Sequence, residues 1–145
     1  MLAKLIVVLL GAASAVIGCV PALAADRVRV AIACKPGGEK FAYDCTFKLT
    51  SVRTGVALDN AGVVIGADMP SMPMAHNVPS VNATPTGTAG EYAARLTLEM
   101  YGDWALRVRI SGQIRDQIVE LKNFNAQGSG PPSTRAGPKA TYHKH

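Results

Sequence analysis

No segment of this chain carries a sustained helical period, and no internal repeat is present. Helical bundles and solenoids are therefore excluded, because both depend on such patterns. The Gly-x-Ser-x-Gly elbow, the His-Glu-x-x-His zinc motif and the Gly-rich phosphate loop are all missing. Asp68 and His76 could form an acid–base pair, but no nucleophile accompanies them, so the chain reads as a non-enzyme. Charge is also sparse. Charged residues make up 17% of the chain and the formal net charge is only +5. The basic residues are scattered rather than clustered, which argues against a nucleic-acid partner. Arg107 and Arg109 read as the solvent face of a strand. There are just three cysteines and three histidines.

The few cysteines fit an exported protein. Lys4 opens a positive n-region, an apolar stretch follows to Ile17, and Pro21-Ala22-Leu23-Ala24 supplies the small residues of an A-x-A cleavage site. Residues 1–24 therefore read as a signal peptide. Two alternatives stand beside it. Val16-Ile17-Gly18-Cys19 resembles a lipobox, and the uncharged run from 5 to 25 is about the length of an uncleaved anchor. Each places the rest outside the cytoplasm, in a periplasmic or other extracytoplasmic space, soluble or anchored. Cys34 and Cys45 then remain as an even pair in an oxidising compartment and are expected to form a disulfide. The competing reading, a metal-binding Cys pair, has a spacing that matches no compact ligand pattern.

From residue 25 the chain alternates like strands and breaks like turns. Val28, Val30, Ile32 and Cys34 share one face. Tyr43, Cys45, Phe47 and Leu49 share another. Gly62 to Ala67 is a short apolar strand, and Val78 to Thr86 a weak extended one. Tyr92, Ala94, Leu96, Leu98 and Met100 face inward. Gly102-Asp103 reads as a hairpin turn. Trp104, Leu106, Val108 and Ile110 face inward again, and Tyr92 and Trp104 are core aromatics. Ile114 to Phe124 forms a last strand with Val119 and Leu121 as its core positions. Residues 125–145 have almost nothing to bury and read as a disordered tail. The sum is an all-β, Ig-like antiparallel sandwich of about seven strands over residues 25–124. The order Cys34, Cys45, Trp104 is not that of an antibody-type domain.

Between 69 and 76 the chain places Met69, Met72, Met74 and His76, with Pro70 and Pro73 between them. Three of the five methionines of the chain lie in this run. Thioethers are soft ligands that favour Cu(I), and imidazole suits several transition metals. Proline withholds an N–H, so the run is an edge or a loop. Residues two apart on an extended chain lie about 7 Å apart on one face. Met72 and Met74, or Met74 and His76, can therefore share an ion. Met72 and His76 lie about 13 Å apart unless the chain bends. A thioether also loses no proton on binding and survives an oxidising compartment. The competing reading is that the methionines fill irregular gaps and cap the sandwich. Tyr142-His143-Lys144-His145 could chelate a divalent ion weakly, but reads more simply as a solvated end. Asn82-Ala83-Thr84 has the form of a glycosylation sequon, without meaning behind a bacterial-looking signal.

An apolar strand, then Met69-Pro70-Ser71-Met72 with His76 downstream, then Gly90-Glu91-Tyr92 and Met100-Tyr101-Gly102-Asp103-Trp104 together resemble the YtkA-like domain family. The resemblance runs from Gly62 to Ile110. It implies an exported or membrane-anchored sandwich module that handles metal, with an efflux or oxidase-assembly protein as partner. The family pattern is Met-Pro-x-Met followed closely by His, and this chain inserts Pro73-Met74 before Ala75-His76. The expected function is Cu(I) binding or delivery through the loop. The alternative is a non-catalytic envelope interaction module that binds no metal.

Overall fold

The structure, a computed structural model, describes residues 25–73 and 78–133. Eight strands run β1 (Val28–Pro36), β2 (Ala42–Ser51), β3 (Gly62–Asp68), β4 (Val78–Pro85), β5 (Glu91–Thr97), β6 (Gly102–Ser111), β7 (Asp116–Asn125) and β8 (Gly128–Gly130). All pair antiparallel, in the order β1-β2-β5-β4-β3-β6-β7-β8. The all-β antiparallel architecture is the expected one. Its two layers are continuous through β4, which pairs with β3 from Val78 to Ala83 and with β5 at Thr84 and Pro85. The result is a nearly closed, barrel-like sheet.

The remaining seam, between β1 and the β7–β8 edge, is stitched by side chains. The Val28 N–H donates to Asp116 Oδ2 at 2.8 Å, and the Cys34 N–H donates to Ser129 Oγ at 3.0 Å. These bonds occupy donors that would otherwise be left open on an edge strand. Gly128 sits at the seam with φ +125°, and a Cβ there would lie 2.5 Å from the Cys34 carbonyl oxygen. Only glycine permits that approach.

Alternation fills the interior as expected. Phe47, Leu49, Ile65, Trp104, Leu106, Val108 and Phe124 are fully buried. The polar ends of the aromatics are satisfied, as buried Tyr and Trp require. Tyr43 Oη donates to the Asn125 carbonyl at 2.9 Å, and Tyr92 Oη donates to the Leu58 carbonyl at 2.8 Å. Among the described residues the buried core runs from Val28 to Phe124.

Cys34 and Cys45 are bonded. They lie directly opposite in the β1–β2 ladder, with Cα atoms 4.0 Å apart. Because the Cys34 N–H is directed to β8, this is a non-hydrogen-bonded pair, the position where facing side chains come closest. The bond therefore staples neighbouring strands instead of crossing the core. The loop it closes, 11 residues in separation, gives about 3 kcal/mol by chain entropy.

Three details differ from expectation. Val119 and Leu121 are 55% and 43% exposed, not core. They pair with Arg107 and Ala105 on the outer face of β6, while Ile118 and Phe124 turn inward. Gly102-Asp103 begins β6, and the reversal occupies Leu98 to Tyr101 instead. Finally, β7 runs to Asn125 and β8 follows, so strand structure extends past residue 124.

Candidate functional site

Pairing brings the Met-Pro run and the Gly-x-Trp segment to one end of the barrel. Asp68, the last residue of β3, is opposite Ala105 of β6. Met69 therefore leaves its strand beside the start of β6. Pro70 occupies the second position of a turn closed by the Met72 N–H donating to the Met69 carbonyl at 3.0 Å. Proline's fixed φ suits that position.

The turn and the Leu98–Tyr101 reversal enclose an open cleft of about 620 Å³. Met69, Met72, Met100, Tyr101 and Leu121 line it, with Ser133 at the rim. The three methionines have different standing. Met69 is 4% exposed and belongs to the core cluster. Its methyl carbon would sit 3.4 Å from a Cβ at Gly102, whose φ is +140°. Met72 is 39% exposed, and Met100 is half-buried. The Met100 carbonyl accepts a hydrogen bond from Trp104 Nε1 at 3.2 Å. Tyr101 is braced edge-on by Phe41, with centroids 4.8 Å apart. The fully buried indole thus positions the backbone that presents Met100.

Asp103 is the cleft's carboxylate, and it is engaged. Asn123 Nδ2 and the Ser133 N–H donate to its Oδ1 at 2.8 and 3.0 Å, and Ser133 Oγ donates to Oδ2. The bonds from Ser133, backbone first, then Asn123, hold its pKa below the ordinary 3.8. With those oxygens engaged, the soft donors among the described residues lining the cleft are the methionine sulfurs. Thioether sulfur fits a soft monovalent ion such as Cu(I) and fits Mg²⁺ or Ca²⁺ poorly. Among the described residues no group of three or more His, Cys, Asp or Glu is arranged to hold a metal ion.

Of the residues expected to form a site, Met69 and Met72 reach the cleft, while Met74 and His76 lie outside the described residues, as do His143 and His145. Met100 was expected only as an inward strand residue. The β3–β6 pairing reveals it as part of the cleft, and its place directly before Tyr101-Gly102 was the available signal. Ser133 was hidden by its tail-like surroundings.

These features define a small all-β, disulfide-bonded module with a methionine-lined cleft at one end. Residues 24–109, more than half of the chain, match the YtkA-like family, and the chain belongs to that family. It is not a known catalytic family. The match ends within β6, so Leu121 and Ser133 line the cleft from outside it. No curated protein and no solved structure matches the chain.

Proposed function

We propose that this protein is an exported Cu(I)-binding module that carries or delivers the ion through its thioether cleft. The observation that supports this reading most is the meeting of Met72 and Met100, from different loops, at one open cleft whose carboxylate is already satisfied. Met72 and Met100 are the first ligands. Met74 and His76, two and four residues beyond Met72, complete the set. Met69 is the floor of the cleft and holds it in shape. The Cys34–Cys45 disulfide accords with an oxidising compartment, where free thiolates are lost to disulfides and thioethers are not.

The exposed rim of Met72, Tyr101 and Leu121 supports delivery, since an apolar rim suits a transient protein contact. An efflux or oxidase-assembly protein in the membrane is the proposed recipient. The same rim supports the second reading, an interaction module that docks there without metal.

The test is a Cu(I) titration of the chain from residue 25, in competition with a Cu(I) chelator. Met72→Leu/Met74→Leu and Met100→Leu each weaken binding tenfold or more, and Met69→Leu leaves it within twofold. Equal affinity in all four proteins would reject the cleft and leave the metal-free reading.

A further inference from the structure

The opposite end of the barrel has a different chemistry, and it is independent of the copper reading. The ten residues of β6 separate the two ends by about 30 Å. At this far end Arg27, Arg109 and Arg115 line a shallow hollow of about 640 Å³. The loop after β2 lies against the Arg27 backbone, because the Val52 N–H donates to the Arg27 carbonyl at 2.8 Å. That loop exposes Val52 at 50% and Val56 at 61%. Arg53 lies between them in sequence. Arginine and exposed aliphatic side chains therefore share one surface.

The carboxylates of this end keep their charge, but each is held by the fold; Asp116 lines the hollow beside Arg27, and Asp26 lies 3.7 Å from Arg53 Nη2. Asp116 accepts the Val28 N–H and lies 3.5 Å from Arg27 Nε. Asp26 accepts from Ser51 Oγ and the Arg53 N–H. Asp59 accepts the Gly90 N–H, and Glu91 accepts from Thr86 Oγ1. Arg109 and Arg115 have no carboxylate partner among the described residues.

We infer that this end is a membrane-facing surface that docks on a bilayer carrying anionic phospholipid. Arg109 and Arg115 meet the phosphates, and Val52 and Val56 enter the headgroup layer. These two arginines, unpaired among the described residues, favour an anionic surface, and the adjoining aliphatic tips favour lipid over a purely polar partner. The orientation turns the methionine cleft away from the bilayer, toward partners in solution or projecting from the membrane.

The experiment is vesicle co-sedimentation of the chain from residue 25, which contains every buried core residue among the described residues. Phosphatidylcholine vesicles are compared with vesicles containing about one third phosphatidylglycerol. Each arginine near an anionic surface contributes about fivefold in partitioning. Arg109→Glu/Arg115→Glu should therefore lower binding by about 20-fold or more. The control, Lys35→Glu/Lys40→Glu, makes the same change in net charge at the cleft end and should cost less than threefold. Val52→Ser/Val56→Ser should weaken binding without changing its salt dependence. Circular dichroism confirms that each variant is folded. Equal losses in the two charge variants, equal binding to neutral vesicles, or no binding to anionic vesicles would each overturn the assignment. Release by polyglutamate at equal charge concentration would do so too, by reassigning the surface to an acidic protein.

Discussion

Met69 and Met72 are three residues apart and do different work. Met69 is shut into the core against Gly102, and Met72 stands over the cleft. A methionine count treats them alike, so the sequence could place the loop but could not separate floor from ligand. Their separation is measurable. Met69→Ala leaves a cavity among fixed neighbours and should cost about 2–4 kcal/mol in urea unfolding. Met72→Ala removes a side chain facing solvent and should cost about 0.5 kcal/mol or less. Equal costs would mean that both sulfurs serve packing. Trp104 shows the reverse case, since its core position follows from alternation alone. What alternation could not reveal is the bond from its indole to the Met100 carbonyl.

Among the elements, those that alternate cleanly were legible. The inward faces of β2 and β6 follow residue for residue, because one side of each strand is apolar and the other polar. β7 is where this fails. Its inward side carries Asp116, Glu120 and Lys122 beside Ile118 and Phe124, so the sequence favours the opposite phase. The reason is the seam. β1 lies across from this stretch, and Asp116 is needed there to accept the Val28 N–H. Polar residues are tolerated inward where a ladder partner is missing. β8 escaped notice because three small residues carry no pattern, and it depends on the Cys34–Ser129 bond at the same seam.

The Asp103–Ser133 contact gives this level a pH dependence. Asp103 has its pKa lowered in the folded state by the Ser133 and Asn123 bonds. The stabilisation is therefore complete above the ordinary value of 3.8 and is lost as pH falls through the lower folded value. As the pH falls below 3.8, the Ser133 amide should lose its hydrogen-exchange protection before the amides of β6 do. Asp103→Asn should remove that pH dependence. Protection of Ser133 that persists after Asp103 is protonated, as followed by the Asp103 carboxyl ¹³C shift, would show that other contacts hold Ser133 in place.

At the scale of the whole molecule, the barrel is a spacer with two unlike ends. The strands carry the chain from arginines and valines at one end to sulfur at the other. The all-β class and the disulfide were readable because each rests on local pattern or cysteine arithmetic. The cleft was only half readable. It depends on β3 meeting β6, a long-range pairing that brings residues 69–72 beside residues 98–102. Local alternation does not encode such a meeting, and the family resemblance supplied it only as a recurring pair of motifs. The polarity of the barrel was not readable at all, since Val52, Arg27 and Arg115 come from three separate stretches.

The cleft reading turns on whether sulfur from two loops meets one ion. The most direct measurement is a ¹H–¹³C spectrum of the chain from residue 25, labelled at its methionine methyl groups, recorded during Cu(I) addition under argon. The account predicts that the Met72, Met74 and Met100 methyls shift together and saturate at one equivalent, while Met69 stays in place. Methyl signals that remain still, or that drift in proportion to added copper without saturating, would contradict it.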